Sequence, residues 1–145
     1  MKTLMRTSDD AGALIARIFL AVVIFPHGAQ LTLGWFGGQP LWGTLEYFAR
    51  MGTPKPVAAL VCLAQLLGPL GLLVGLLGRL AALGIAAVMV GAIAMVHWQV
   101  GFFMNWLGKQ KGEGYEYHLL AIGLALVVLV KGSGRWSLDR AIAGG

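Results

Sequence analysis

AGALIARIFLAVVIFPHGAQLTL, residues 11–33, is an apolar run that holds one cation, Arg17, near its start and Pro26, His27 and Gln30 near its end. At 1.5 Å per residue it is long enough to cross about 30 Å of hydrocarbon as a helix. Pro26 has no N–H and crowds the carbonyl of Val22, so the helix is expected to bend there. His27 follows at the bend, and Gln30 lies one turn on, on nearly the same face. Polar groups at membrane depth are costly, so His27 is expected to face a partner or a cavity. Arg17 is read first as snorkelling to the nearer interface, with bracing of neighbouring helices as the alternative.

Working outward, three more runs share this character, at about 57–77, 80–98 and 115–131. Gly34 to Pro40 is a turn-rich break. Leu41 to Met51 places Leu41, Leu45 and Phe48 at helical spacing against Glu46 and Arg50, a helix too short to span and suited to the interface. The expected architecture is an all-α membrane protein, residues 1–145 forming one domain. It is a four-transmembrane-helix antiparallel bundle with a short interfacial helix between helices 1 and 2. Composition agrees: 58% of residues are hydrophobic, 12% are charged and the mean hydropathy is +0.78, whereas a soluble domain carries about a quarter charged residues.

The net charge of +5 comes without a basic stripe interleaved with aromatics, so nucleic acid is not an expected partner. The cations orient the chain instead. Lys2, Arg6, Arg17, Arg79, Lys131, Arg135 and Arg140 fall on the side of the termini, against Arg50, Lys55, Lys109 and Lys111 on the other. That bias puts both termini of a multi-pass protein in the cytoplasm. The first run continues without a small-residue cleavage site and reads as an anchor rather than a removed signal. Cys62 is the sole cysteine, which rules out an intrachain disulfide or a dithiol relay.

The same threading gathers the polar groups. His27, His97, His118, Gln65 and Glu116 all fall toward the side away from the termini, with Trp35, Trp42, Trp98 and Trp106. The expected site is a pocket in that half of the bundle with His27 deepest. Gln30 and Gln65 would orient a ligand, Trp35 and Trp98 would wall it, and His97 and Glu116 complete the set. An imidazole suits a quinone carbonyl or a proton relay. His97 and His118 are nonetheless read first as wet rim residues, and the Trp and Tyr side chains as an interfacial belt. No His-x-x-x-His or Glu-x-x-His pair occurs, so no metal site is expected. Haem through His27 and His97 would need both rings at one depth and ranks below quinone or lipid. Gly68, Gly71, Gly75 and Gly78 read as a helix-packing face, Gly71 and Gly75 forming a GxxxG.

A series of motifs then resembles a known family. Arg17-Ile-Phe-Leu, Phe-Pro-His27-Gly28-Ala-Gln, Gly34-Trp-Phe-Gly-Gly38, Gly43-Thr-Leu-Glu46, Gly78-Arg79-Leu-Ala-Ala-Leu-Gly84, His97 followed by Gly101-Phe-Phe, Gly114-Tyr-Glu-Tyr117 and Arg135-Trp-Ser-Leu-Asp139 are similar to the DoxX family, over almost the whole chain. The resemblance implies a small four-helix bacterial inner-membrane protein; the family takes its name from a subunit associated with quinone-linked thiosulfate oxidation. Two positions depart from its pattern: Leu31 stands where a lysine is frequent and Gln65 where a glutamate is frequent. Losing both members of a buried pair leaves no orphan charge.

The expected function is a redox-linked accessory subunit that holds a quinone-type or other apolar ligand near His27. It would have no covalent cofactor, and would work with membrane lipid and with redox partner proteins or a second copy. Any catalysis would belong to a quinone-linked oxidoreductase system. The alternative is a non-catalytic scaffold whose glycine face packs against partner helices.

Overall fold

The computed structural model describes residues 2–143, and among them the only regular structure is helical. A four-residue helix, α1 (Lys2–Met5), precedes α2 (Ala11–Thr32). Asp10 starts α2: its carboxylate accepts the Ala13 N–H at 2.9 Å, satisfying one of the donors a helix leaves unpaired at its first turn. The helix continues through Pro26 to a C-cap at Leu33. Gly34, at φ 73, turns the chain into a short 3₁₀ turn at Trp35–Gly37, and a single antiparallel bridge between Leu33 and Pro40 closes the loop. Then come α3 (Leu41–Arg50) and α4 (Lys55–Val74), with a proline in the first turn of α4. α5 (Gly78–Ala92) runs on through a π-helical turn, Ile93–His97. A long loop leads to α6 (Glu116–Lys131) and finally α7 (Leu138–Ala143).

The link between α4 and α5 differs from the sequence expectation of a helix to Leu77 joined at Gly78-Arg79. Gly75 takes the left-handed conformation at φ 67, and the Leu76 N–H bonds back to the Gly71 carbonyl, which ends the helix at Val74. Leu77 is also left-handed, at φ 52. Gly71 and Gly75 are therefore a helical residue and its terminating turn, not two steps of one helical face.

α4 packs against α2 and α5, and α6 against α5 and α2. Arg17 of α2 meets the end of α4 at Leu72, while Gly28 meets its middle at Gln65, so the two run antiparallel. α5 and α6 do likewise, with Arg79 donating to the Val130 carbonyl at one end and His97 touching His118 at the other. The core between them is built of small and aliphatic residues: Ala16, Leu20, Ala21, Ile24, Leu72, Ala82, Ile85, Ala121, Ala125 and Val128. Large apolar side chains point outward instead: Ile15, Phe19 and Val22 on α2, Leu60, Leu63 and Leu67 on α4, Leu83 and Val90 on α5, Leu120 and Val130 on α6. A water-soluble bundle would not leave such patches open. Small residues inside and large ones outside is the order that lipid selects. Three helical stretches, Ala11–Thr32, Lys55–Val74 and Gly78–His97, are long and apolar enough to cross a membrane.

The end of the bundle that carries the termini is closed by a polar lock, and here the reading of Arg17 as a snorkelling residue is overturned. Arg17 is 1% exposed. Its guanidinium donates to the carbonyls of Leu72 and Leu73 at the end of α4 and of Arg135 and Trp136 in the C-terminal segment. A helix end leaves such carbonyls unsatisfied, and only the planar fork of arginine reaches several at once. Asp139, also 1% exposed, does the converse job at the start of α5. Its two oxygens accept the Leu77 N–H at 2.7 Å, the Gly78 N–H at 3.0 Å and the Ser133 hydroxyl at 2.6 Å. The basic segment that follows α6 is thus folded back into the bundle.

Asp9 and Asp10 hold the outside of this lock. Asp9 pairs with Arg135 at 2.9 Å and Arg140 at 2.8 Å, and Asp10 with Lys131 at 3.4 Å. The hydrogen bond from Arg135 holds the Asp9 carboxyl below its ordinary value of 3.8. A carboxylate whose value is lowered by folding contributes stability above its unfolded value, and that contribution fades as pH falls through the folded one. The protection of amides in residues 131–140, relative to their intrinsic exchange, should therefore fall below about pH 4. In Asp9→Asn the part of this loss owed to Asp9 should be gone and protection lower already at neutral pH; equal acid dependence in both proteins would contradict the assignment.

Candidate functional site

At the opposite end the helices do not pack solid. A cavity of about 300 Å³ lies between α2, α4, α5, α6 and the loop before α6, lined by His27, Gln65, Val88, Met89, Ala92, His97, Met104, Glu113, Tyr117 and His118. All three histidines of the chain line it. The backbone explains why room is left. Gly28 sits so close to α4 that a Cβ there would overlap the Gln65 carbonyl. This contact brings His27 beside the buried Gln65. On the far wall, the π turn at Ile93–His97 adds a residue to the helical repeat and ends at His97.

The imidazoles are in contact through a row of rings. His27 and Tyr117 have centroids 6.1 Å apart, Tyr117 and His118 5.3 Å, and His118 and His97 4.1 Å, the last tilted by 42°. His97 Nδ1 bonds the Glu113 carbonyl at 2.7 Å; since a carbonyl only accepts, that nitrogen bears the proton and Nε2 is left with its lone pair. His118 is 7% exposed and its Nδ1 has no hydrogen-bond partner, and the Tyr117 hydroxyl is likewise buried without one. These two adjacent orphaned groups, closed to water behind the cavity lining, each cost about 1–3 kcal/mol when left unmade.

The residues singled out from sequence divide. His27, Gln65 and His97 line the cavity. Within the bundle His27 is exposed and His118 is buried. Gln30 instead donates to the Phe36 carbonyl at 3.4 Å, and Trp35 packs on Phe25 and Phe36. Trp98 stacks on Tyr115 at 5.7 Å. The Glu116 carboxylate accepts the Met104 N–H at 2.9 Å and holds the loop down. Sequence reasoning missed Glu113, Tyr117 and Met104; Tyr117 and His118, neighbours near the start of the fourth run, were the available signal for two adjacent lining residues. Gly68 abuts Ile85, Gly75 abuts Ser137 and Gly78 abuts Ser133, so these glycines fit the chain to itself. Among the described residues no group of three or more His, Cys, Asp or Glu is placed to hold a metal ion.

Comparison with known proteins agrees with this architecture. The chain is 29% identical over 136 residues to "Inner membrane protein YqjF" of Escherichia coli (strain K12), covering 94% of this chain and 95% of that protein. It is also 29% identical over 124 residues to "Putative oxidoreductase CatD" of Bacillus subtilis (strain 168), covering 86% and 83%. No solved structure matches. Residues 12–98 match the family model described as DoxX. That span holds Arg17, His27, Gln65 and His97, and helices long and apolar enough to cross a membrane; this chain is a membrane protein of the DoxX family.

Proposed function

We propose that this protein is a multi-pass inner-membrane subunit that holds a quinone-type ligand in the histidine-lined cavity and serves a redox-linked membrane system. The observation that carries the reading is a cavity lined by all three imidazoles of the chain. A carbonyl-bearing ring takes hydrogen bonds from the lining imidazoles, and about 300 Å³ lies at the lower end of the range for small-molecule sites. Val88, Met89 and Ala92 give the ring an apolar wall, and Met104 adapts to its outline. In this reading α6, 16 residues long and so about 24 Å, is a fourth span and α3 lies in the interface. Both termini face the cytoplasm, and the cavity opens in the outer half. The relative named as an inner membrane protein supports the location and the one named as an oxidoreductase supports the redox link. With a single cysteine, buried Cys62, the chain has no dithiol couple of its own, so electrons pass to or from a partner protein or a bound cofactor.

The scaffold alternative relied on Gly68, Gly71, Gly75 and Gly78 as a face for partner helices. Gly68, Gly75 and Gly78 are buried against Ile85, Ser137 and Ser133, which gives that alternative less support. Organic extraction of the purified protein tests the choice. A quinone should co-purify in stoichiometric amount, and His118→Ala should lose it while eluting from size exclusion like the parent. An absorption spectrum dominated by a haem band, or an extract with ordinary lipid alone, would contradict the reading.

A further inference from the structure

The closest pair of rings in the site, His97 and His118, has a consequence for how the cavity handles protons. Their centroids are 4.1 Å apart, nearer than either is to any other ionisable ring in the row. We infer that His97 and His118 act as one proton-binding unit in which a first proton disfavours a second, and that the first proton is linked to the ligand in the cavity. The inference rests on the quinone-type reading for its ligand, but not for the shared proton.

The physical case begins with charge. Two imidazolium rings in van der Waals contact repel, so binding the first proton disfavours the second, and the pair titrates in two separated steps rather than one. Among the described residues no carboxylate is hydrogen-bonded to either ring. Glu113 faces the pair from the loop with its backbone carbonyl, while its carboxylate is engaged by the Asn105 N–H at 2.7 Å. Glu116, on the same helix as His118, is held by the Met104 N–H. From α4 the facing residue is Gln65, from α5 Val88, Met89 and Ala92, none of which titrates; from α2 it is His27, and from α6 Tyr117. His27 therefore adds a like charge when protonated, not a counter-charge.

The tautomers then decide what the proton does. His97 Nδ1–H is committed to Glu113, and His118 Nδ1 is unpartnered. A proton added to the pair at His97 Nε2 creates an N–H to which no protein acceptor is hydrogen-bonded. A ligand carbonyl in the cavity accepts it. A quinone-type ligand therefore binds more tightly as pH falls through the first step, and by reciprocity the ligand raises the pH of that step.

Histidine side-chain NMR of the full-length protein in nanodiscs, titrated from pH 8.5 to 4.5, tests the pair without any ligand. His97 and His118 should change together in two steps more than about one pH unit apart. Either His97→Gln or His118→Gln should leave the remaining ring with one ordinary step. Independent titration of both rings at one midpoint would overturn the shared proton. Calorimetric titration with menadione tests the linkage. Affinity should rise up to about tenfold per pH unit across the first step, and this slope should flatten in both glutamine variants while His27→Gln keeps it. A slope that survives in both pair variants and vanishes in His27→Gln would overturn the linkage. Absence of menadione binding at every pH, with the two steps intact, would overturn the quinone-type reading and the linkage together and leave the shared proton standing.

Discussion

Arg17→Met should destabilise the protein by about 3–5 kcal/mol, the cost of breaking a buried charged network by removing one partner. In detergent it should melt far below the parent or fail to accumulate. Arg17 touches four carbonyls from two segments, at Leu72 and Leu73 and at Arg135 and Trp136. Its loss strands the end of α4 and leaves the buried Asp139 without the nearby cation that acts on it electrostatically. Lysine would not rescue it, because a point charge cannot fork to four acceptors. Asp139→Asn should also destabilise, since it weakens the acceptors of the Leu77 and Gly78 N–H groups. The double variant Arg17→Met with Asp139→Asn should cost less than the two singles combined, as members of one network do. Strict additivity of the melting data would show that the two groups act separately.

Gly28→Val is the second large effect, at about 1–3 kcal/mol for overpacking, toward the upper end because the clash is with backbone. A Cβ at Gly28 overlaps the Gln65 carbonyl and the Leu66 nitrogen, and no side-chain rotamer change relieves it. α2 must move off α4, carrying His27 away from Gln65. The variant should therefore lose ligand binding more completely than its loss of stability alone explains. The paired measurements are thermal unfolding and menadione affinity. A valine tolerated at parental affinity would mean that the α2–α4 contact does not shape the cavity.

What the sequence made legible follows from range. α2, observed as Ala11–Thr32, was readable because its apolar run and its Gly34 stop are local. So was α3, from its alternation of Leu41, Leu45 and Phe48 with Glu46 and Arg50. The convergence of polar groups away from the termini followed from threading direction, which is why His27, Gln65 and His97 meet. Arg17 was misread because its acceptors are backbone carbonyls 55 and 118 residues away, and carbonyls leave no mark in a sequence. Gly75 was misread because a glycine in an apolar run looks alike as a packing surface and as a left-handed cap; only its φ of 67 separates them. Glu113 was missed for a related reason, since it reaches His97 through its backbone oxygen. Trp35 and Trp98 were placed on the right side of the molecule, but side of membrane does not fix which way a ring points, and each packs against another aromatic outside the cavity lining.

If the space among the histidines holds a ligand, filling that space must expel it. Ala92, on the apolar wall, can be replaced by phenylalanine with every imidazole left in the sequence. Quantified by mass spectrometry of the extracted protein, the co-purifying quinone should be present in the parent and absent from Ala92→Phe, with both eluting as intact folded protein. A quinone retained undiminished in the filled variant would place it elsewhere and contradict the claim.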